Sequence, residues 1–395
     1  MDCRICNNSN LEIMFCRPKF PIYIWPIDKN SEQEYEDLQI YWCPDCGLVQ
    51  LDRFNIEFIK KLYSKDVFGL VSSNEFQTTS VNNNNFLSYC SKILGNDWSH
   101  RKKILDVGGY DVLSSYDLNF AEATICDPNA PQIKYKDNIG ICRNFFSREF
   151  FKEDYFDVVI AKHILEHIND IKVFMEDIRF VLKDKGTLII EVPELLSSIK
   201  GKASFSEFYH QHLIYFDEFS LKNLLKKYGF NIKNIFIKNN IIRIIAEKTN
   251  QPEKLLSYKI NKNMPTEIDN YINRIDKYLL ELENFLGRNA KEKIICYGAG
   301  GATTILFHLC YNIKDFIEVI VDSSKNKIGK IVGGTDFIVN KPDILDSFYN
   351  RNILVNSDMF FNEISDEIRN RYSKHNFHVL NIFTKFEKNN LFERK

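Results

Sequence analysis

Two apolar segments that end in glycines most limit the folds open to this chain. Residues 103–109 read Lys-Ile-Leu-Asp-Val-Gly-Gly, and residues 293–302 read Lys-Ile-Ile-Cys-Tyr-Gly-Ala-Gly-Gly-Ala. After each segment, short buried-strand patterns follow, and helical stretches such as residues 171–182 lie between them. This alternation is typical of parallel, doubly wound sheets. The sequence therefore predicts an α/β protein with two such units.

The chain is also too long for one ordinary core, because it has 395 residues. Residues 251–290 are charged and amphipathic, which predicts a helical connector between the two α/β units. The apolar runs within residues 230–247 could finish the first sheet as two strands. The expected divisions are residues 1–55, 56–250, 251–290 and 291–395.

Charge and hydropathy exclude several classes of partner. The formal net charge of −1 gives no general electrostatic reason to bind nucleic acid or an anionic membrane. No apolar run approaches the roughly 20 residues of a membrane span, and the first residues lack the features of a signal peptide. We therefore expect a cytoplasmic protein, a monomer or weak homodimer, that acts on a small molecule.

Four of the ten cysteines form two Cys-x2-Cys pairs near the start of the chain. In a reducing compartment this spacing favours a metal site over disulfides. Four thiolates close a tetrahedral zinc site and leave no position for water, so the zinc would be structural. Cys16, between the pairs, is the plausible substitute ligand. The predicted ligands are Cys3, Cys6, Cys43 and Cys46.

The first glycine turn has the order of residues that an adenosyl cofactor needs. Gly108 and Gly109 let the backbone approach a ligand, and Asp127, at the end of the next strand, can accept ribose hydroxyls. An ordinary α/β turn, with Asp127 and Pro128 ending the strand, is the alternative. Residues 157–168 then read Asp-Val-Val-Ile-Ala-Lys-His-Ile-Leu-Glu-His-Ile.

These segments resemble the class I S-adenosylmethionine-dependent methyltransferases, which commonly show Leu-Asp-x-Gly early and a Val-Leu-Glu-His-type segment later. The resemblance implies S-adenosyl-L-methionine as cofactor. Where that family usually has a further glycine, this chain has Val112. The implied cofactor-binding residues are Asp106, Gly108, Gly109, Asp111, Asp127 and His163.

Residues 205–216 concentrate two histidines, two tyrosines and an amide in one stretch, Phe-Ser-Glu-Phe-Tyr-His-Gln-His-Leu-Ile-Tyr-Phe. The stretch follows a strand ending at Pro193, on the side of the sheet where ligands bind. Imidazole can take a proton near neutral pH, and a phenol or amide can stabilise an oxyanion. The alternative is a packed interdomain surface with histidines that cap helices.

The whole layout resembles the sugar-nucleotide C-methyltransferase family, which has a zinc-binding N-terminal domain, a methyltransferase domain and a Rossmann-like C-terminal domain. That family carries Tyr-His-Glu-His-Leu-x-Tyr-Phe, comparable to residues 209–216, and its last domain opens Tyr-Gly-Ala, as residues 297–299 do. The resemblance implies a 4-keto-6-deoxy sugar nucleotide as substrate. A base would remove the proton beside the ketone, and the enolate carbon would attack the methyl group of S-adenosylmethionine.

Carried over by position, His212 is the base, Tyr209 assists or holds the enolate oxygen, and His167 lines the site. The full set of implied catalytic residues is His212, Tyr209, His167, Gln211 and His210. The implied substrate-binding residues are Tyr215, Tyr297, Gly298, Ala299, Gly300 and Asp322.

Two departures from the family keep other functions open. Gln211 stands where the family has glutamate, and the segment from Gly300 to Thr303 lacks a lysine that the family usually has there. Methylation of oxygen or nitrogen on a related sugar or phosphoryl acceptor is therefore one alternative. A non-catalytic scaffold is another. A third is an NAD-linked oxidoreductase using Gly298–Gly301, although Thr303 occupies its third glycine position.

Overall fold

The computed structural model describes residues 1–52, 77–109, 118–130, 136–200, 205–249, 257–288, 293–357 and 360–382, in which three β-sheets form. Asp111 and Val112 lie outside the described residues. Within these ranges, no helix has the length and apolar character needed to cross a bilayer.

The first sheet follows the cysteine pairs and is antiparallel. Its strands are β1 (Glu12–Pro21), β2 (Tyr35–Trp42), β3 (Val49–Leu51) and β9 (Ile214–Tyr215), in the order β1-β2-β3-β9. Val49 pairs with Tyr215 and Gln50 with Ile214. The last strand of this sheet thus comes from the histidine-rich stretch, far along the chain.

The second sheet confirms the first predicted α/β unit. Its strands are β4 (Lys103–Val107), β5 (Glu122–Cys126), β6 (Ile139–Cys142), β7 (Phe156–Lys162), β8 (Leu182–Pro193), β10 (Phe230–Lys238) and β11 (Ile241–Lys248), in the order β10-β11-β8-β7-β4-β5-β6. Strands β4 to β8 run parallel, and β11 is antiparallel to both β8 and β10. The helices around this sheet are α1 (Gln77–Leu94), α2 (Ile171–Val181), α3 (Leu195–Lys200) and α4 (Glu218–Lys227).

The third sheet is entirely parallel. Helix α5 (Met264–Arg288) leads into it, within the predicted connector. The strands are β12 (Ile294–Tyr297), β13 (Ile317–Val321), β14 (Val339–Asn340), β15 (Asn352–Val355) and β16 (His378–Asn381), in the order β14-β13-β12-β15-β16. Helices α6 (Gly301–Leu309) and α7 (Phe361–Arg371) pack beside it, and short 3-10 helices cover Arg148–Phe150, Leu165–His167, Tyr311–Phe316 and Pro342–Ser347.

One continuous hydrophobic core joins the three sheets, and α5 runs through it. The buried residues of α5 recur at helical spacing, as at Ile268, Tyr271 and Ile275. The Tyr271 ring packs edge-on against Phe208 of the histidine-rich stretch. At the other end, the Tyr278 hydroxyl donates to the Ile382 carbonyl at 2.6 Å. The helix therefore contacts both α/β units along its buried face.

Arg4 ties the cysteine region to the second sheet from a buried position. It is 2 % exposed, and its guanidinium donates to the carbonyls of Leu51, Asp52 and Asn169 and to the Asn169 side chain. Arg17, in contrast, forms an ion pair with Asp276 at the surface.

We expect Arg4→Ala to lower the free energy of unfolding by about 2–4 kcal/mol, because three backbone carbonyls lose the charged donor that the buried Arg4 side chain gives them. Arg17→Ala should cost less than about 1 kcal/mol, since an exposed ion pair contributes little. Urea unfolding of the two variants measures the difference. Equal losses would show that the Arg4 contacts do not hold these segments together.

Candidate active site

The carboxyl ends of the parallel strands lie at one edge of the second sheet. There β4 leads into the turn at Gly108, β5 into Asp127, and β7 into His163. Gly108 has φ +74°, and a Cβ at this position would lie 2.7 Å from Ile164 Cδ1. A Cβ on Gly109 would lie 2.7 Å from Asp106 Oδ1. Both positions therefore require glycine, and the turn keeps a bare backbone at the edge where ligands bind.

The two acidic residues of this turn region are both buried. Asp106 is fully buried at the end of β4. The Asp127 carboxylate accepts a hydrogen bond from the Asn129 backbone N–H at 2.6 Å, which fixes the turn after β5. This arrangement places Asp106, Gly108, Gly109 and Asp127, four of the predicted cofactor-binding residues, at one edge of the sheet, whereas Asp111 lies outside the described residues.

His163 lies between two buried carboxylates, which the sequence analysis did not identify. Its Nδ1 is 3.3 Å from Glu166 Oε1, and its Nε2 is 3.1 Å from Glu191 Oε1. Burial opposes protonation of His163, but hydrogen bonds to Glu166 and Glu191 outweigh it and raise its pKa to about 9. Burial likewise opposes ionisation of the two glutamates, yet the hydrogen bond to His163 lowers the pKa of each to about 2. Arg243 also pairs with Glu191.

Tyr209 and His212 form the centre of the histidine-rich stretch. The Tyr209 hydroxyl lies 2.7 Å from His212 Nε2, and the two ring centroids are 4.4 Å apart. The His167 ring packs edge-on against His212, with 5.0 Å between the centroids. His167 Nδ1–H donates to the Gln211 carbonyl at 2.7 Å, which fixes the orientation of that imidazole. Three predicted catalytic residues therefore come together: His212, Tyr209 and His167.

His212 is held in its neutral form. Burial is the main cause that lowers its pKa to about 3, and the neighbouring His167 adds to the shift. The Glu166 carboxylate acts in the opposite direction. At neutral pH His212 therefore has a lone pair that can accept a proton, and Glu166 is the nearby negative charge that stabilises the resulting imidazolium.

A cavity of about 120 Å³ lies against this pair. Its polar lining includes Glu166, Ser198, Glu207, Tyr209, His212 and Tyr215. Such a space suits the reacting part of a small polar substrate or a few water molecules. The cavity lies beside Pro193, at the same carboxyl edge of the sheet as the glycine turn.

His210 and Gln211, also predicted to be catalytic, point elsewhere. The His210 side chain is fully buried, its Nδ1–H donates to the Pro21 carbonyl at 3.3 Å, and burial lowers its pKa to about 4. Gln211 is 2 % exposed and contributes its backbone carbonyl to His167. Neither lines the cavity, so the structure gives His210 a contact with the first sheet and not the predicted position in the site.

Most of the predicted substrate-binding residues lie in the C-terminal turn and not at the cavity. The exception is Tyr215, which lines the cavity and whose hydroxyl donates to the Tyr209 carbonyl at 3.0 Å. The Asp322 carboxylate instead accepts from the Ala299 and Ser324 backbone N–H groups, both at 2.8 Å, and pairs with Lys327. The five residues that do not line the cavity are Tyr297, Gly298, Ala299, Gly300 and Asp322.

The C-terminal turn packs against the N-terminal part of the chain. A Cβ on Gly301 would lie 2.6 Å from Ile24 Cδ1. The Thr303 hydroxyl donates to the Gly298 carbonyl and accepts from Asn356 Nδ2 at 3.0 Å, so the residue at the third glycine position stabilises the turn itself. These contacts favour a packing role for the turn.

The four paired cysteines cluster as predicted. Their sulfur atoms all lie within 4.8 Å of one another, with 3.3 Å between Cys3 and Cys46 and 3.5 Å between Cys6 and Cys43. These distances exceed the roughly 2.05 Å of a disulfide bond. Cys16 is exposed on β1 and lies outside the cluster.

Glu207 is a cavity residue that the sequence analysis missed. Burial raises the pKa of its carboxyl to about 7, although a hydrogen bond from Ser198 acts to lower it. The sequence offered one signal for its burial, the aromatic residues Phe205 and Phe208 on either side of it. A single glutamate forms no periodic pattern, so its position at the cavity could not be predicted.

The raised pKa of Glu207 predicts a pH effect on stability. The ordinary value is 4.5, so the folded state binds this proton more tightly than the unfolded state does. Its contribution to stability is fully present below pH 4.5 and is lost as the pH rises through about 7. We expect Glu207→Gln to lose less stability than the wild type between pH 5 and pH 8, as measured by urea unfolding. The exposed Glu36→Gln is the control, and identical pH profiles for all three proteins would contradict the assignment.

Comparison with known families gives two adjacent matches. A family model described as a methyltransferase domain matches residues 86–234. A second model, described as a C-methyltransferase C-terminal domain, matches residues 238–379. A comparison with curated protein sequences gave no significant match.

Solved structures show weaker likenesses. The N1-methyltransferase of 1,6-didemethyltoxoflavin from Burkholderia thailandensis is 16% identical, with 56% of this chain and 100% of that one covered and a TM-score of 0.35. A methyltransferase from Methanosarcina mazei is 18% identical, with 40% and 98% covered and a TM-score of 0.32.

The two family matches agree with the strand order and the glycine turn on the class of reaction. The first match includes the glycine turn, His163 and the Tyr209–His212 pair, and the second includes strands β12 to β15 and the start of β16. The chain is therefore an S-adenosylmethionine-dependent methyltransferase with a C-methyltransferase C-terminal domain.

Proposed function

We propose that this methyltransferase transfers a methyl group to a carbon atom of a nucleotide-activated deoxysugar, next to a 4-keto group. The observation that carries the proposal is the contact between Tyr209 and His212, at the wall of a cavity that lies at the same edge of the sheet as the glycine turn. A carbon nucleophile needs a base, and these two side chains supply a base and a hydroxyl at one position. The match to a C-methyltransferase C-terminal domain supports the same reaction class.

The residues at the edge of the second sheet fit the cofactor. Gly108 and Gly109 expose backbone, and Asp127 closes the neighbouring strand. His163, charged and 37 % exposed, adds a positive group at this edge. When bound, S-adenosylmethionine supplies an electrophilic methyl group on its sulfonium.

His212 is the proposed base. When its Nε2–H donates to the Tyr209 hydroxyl, Nδ1 has the lone pair and takes the proton from the carbon beside the ketone. The imidazolium that forms is stabilised by the Glu166 carboxylate. The Tyr209 hydroxyl can then donate to the enolate oxygen, which keeps the negative charge off the carbon until it attacks the methyl group.

One observation favours the alternative of an oxygen or nitrogen acceptor. A base whose pKa is about 3 removes a weakly acidic C–H proton slowly. An amine or hydroxyl acceptor makes a smaller demand on the base.

An NAD-linked oxidoreductase is disfavoured, because the Asp322 carboxylate is engaged by Ala299, Ser324 and Lys327.

We also propose that the four clustered cysteines hold a structural zinc ion. Zn–S distances of about 2.3 Å place the sulfur atoms of a tetrahedral site about 3.8 Å apart, close to the separations found here. Asn223 Nδ2 donates to the Cys46 carbonyl at 3.0 Å, so the site would also fix α4. On this proposal residues 1–55 are a zinc-binding module, residues 56–250 the methyltransferase domain, and residues 291–395 a Rossmann-like domain after a helical connector.

The test of the base is His212→Ala. We expect turnover to fall by about 10²–10⁴-fold, the usual contribution of a general base. Affinity for S-adenosylmethionine should stay unchanged, because His212 lies outside the glycine turn. Isothermal calorimetry measures binding, and methyl transfer to a panel of 4-keto-6-deoxy nucleotide sugars measures turnover.

The matched control is His100→Ala, which removes an exposed histidine that contacts Asn119. Near-full activity of His212→Ala would eliminate His212 as the base. If wild-type protein methylates none of the keto sugars but does methylate amino or hydroxy sugars, the oxygen or nitrogen alternative replaces the carbon one.

The zinc proposal is tested with two cysteine variants. Cys43→Ser should lose the bound zinc and much of its soluble yield, since structural zinc contributes directly to folding. Cys16→Ser should keep both, because Cys16 lies outside the cluster. Elemental analysis of the purified proteins gives the zinc content, and a stable, zinc-free Cys43→Ser protein would contradict a structural role.

A further inference from the structure

We propose that Glu166, His167 and His212 form a second metal site, which takes a divalent transition-metal cation and blocks the base when it is filled. One ligand atom from each of these residues lies within 4.8 Å of the other two. Two imidazoles with one carboxylate are a donor set that binds transition-metal ions and leaves positions open for water or substrate. The site is chemically different from the all-sulfur cluster of the cysteines.

An unpartnered buried oxygen atom points to a missing ligand. Glu166 is 2 % exposed, and its Oε1 lies against His163. Among the residues that the structure describes, its buried Oε2 has no hydrogen-bond partner. An unpaired buried carboxylate oxygen is costly, and a cation in the adjoining cavity would satisfy it.

His167 is oriented as metal-bound histidines usually are. Its Nδ1–H donates to the Gln211 carbonyl at 2.7 Å, the kind of hydrogen bond that orients a metal-bound imidazole. The backbone reinforces this geometry, because the Leu213 N–H donates to the Glu166 carbonyl at 2.7 Å. The segment that holds Glu166 and His167 is therefore fastened directly to the segment that holds His212.

The same nitrogen of His212 would serve both the cation and the catalytic proton. With Nε2–H bound to Tyr209, Nδ1 can take either a metal ion or a proton, but not both. The cavity of about 120 Å³ has room for the water molecules that complete the coordination. This consequence rests on the proposed role of His212, whereas the metal site itself does not.

Counting metal ions per chain tests the site without any substrate. Wild-type protein dialysed against Zn²⁺ and then against buffer should retain two zinc ions per chain. Glu166→Gln and His167→Ala should each retain one, and Cys43→Ser should lose the other ion. His100→Ala, at an exposed histidine, is the matched control and should retain two.

Substitution with Co²⁺ gives a second measurement that needs no variant. The sulfur cluster should show intense sulfur-to-cobalt charge-transfer bands, and the second site should add weaker visible bands of nitrogen and oxygen coordination. Circular dichroism shows whether each variant is folded. One zinc ion per chain in the wild type, lost only in Cys43→Ser, would overturn the inference, as would a second ion that persists in both Glu166→Gln and His167→Ala.

The outcomes separate this inference from the proposed function. If the second ion is absent while His212→Ala still lowers turnover as expected, the metal site is wrong and the base stands. If the second ion binds while His212→Ala keeps its activity, the site stands and the role of His212 fails. If both hold, added Zn²⁺ should inhibit methyl transfer by the wild type, and a chelator should restore it.

Discussion

The pairing of β3 with β9 is the interaction on which the arrangement of the site depends. It makes the stretch that carries Tyr209 and His212 the edge of a sheet that begins beside the cysteine cluster. Leu213 has a central part in it, because its carbonyl accepts from Leu51 and its N–H donates to Glu166. One residue thus fastens the first sheet and the segment after β7 to the same short loop. The cysteine cluster is far from Tyr209 and His212 in sequence, but the backbone hydrogen bonds of β3 and Leu213 connect the two regions in the fold.

Charge is arranged around this loop in two layers. His212 is half-buried and neutral, and the buried Glu166 supplies the neighbouring negative charge. Behind Glu166, His163 and Arg243 balance the second buried carboxylate, Glu191. Because Glu166 and Glu191 each lie against a positive group, the edge of the sheet can contain these two ionised carboxylates without the large cost of isolated buried charges.

Local patterns in the sequence predicted a large part of this molecule. The spacing of the cysteines, the strands around Gly108 and Gly298, and the grouping of Tyr209, His167 and His212 all rest on residues close in sequence or on a family motif. The opposite orientation of His210 could not be predicted, because it depends on the Pro21 carbonyl of a distant strand. The raised pKa of Glu207 could not be predicted either, because it comes from burial in the fold. Nor could the packing of the C-terminal turn, where Ile24 lies against Gly301.

The contact between Ile24 and Gly301 has a consequence for how the chain assembles during synthesis. The ribosome makes the first sheet early, but the surface that covers Ile24 is made only when α6 emerges. The fourth strand of that sheet, β9, is also made long after the first three. Until then the nascent chain exposes an apolar side chain and an unpaired strand edge, both of which attract other chains. Early binding of a metal ion by the cysteines would order this N-terminal fragment before the later parts of the chain are made.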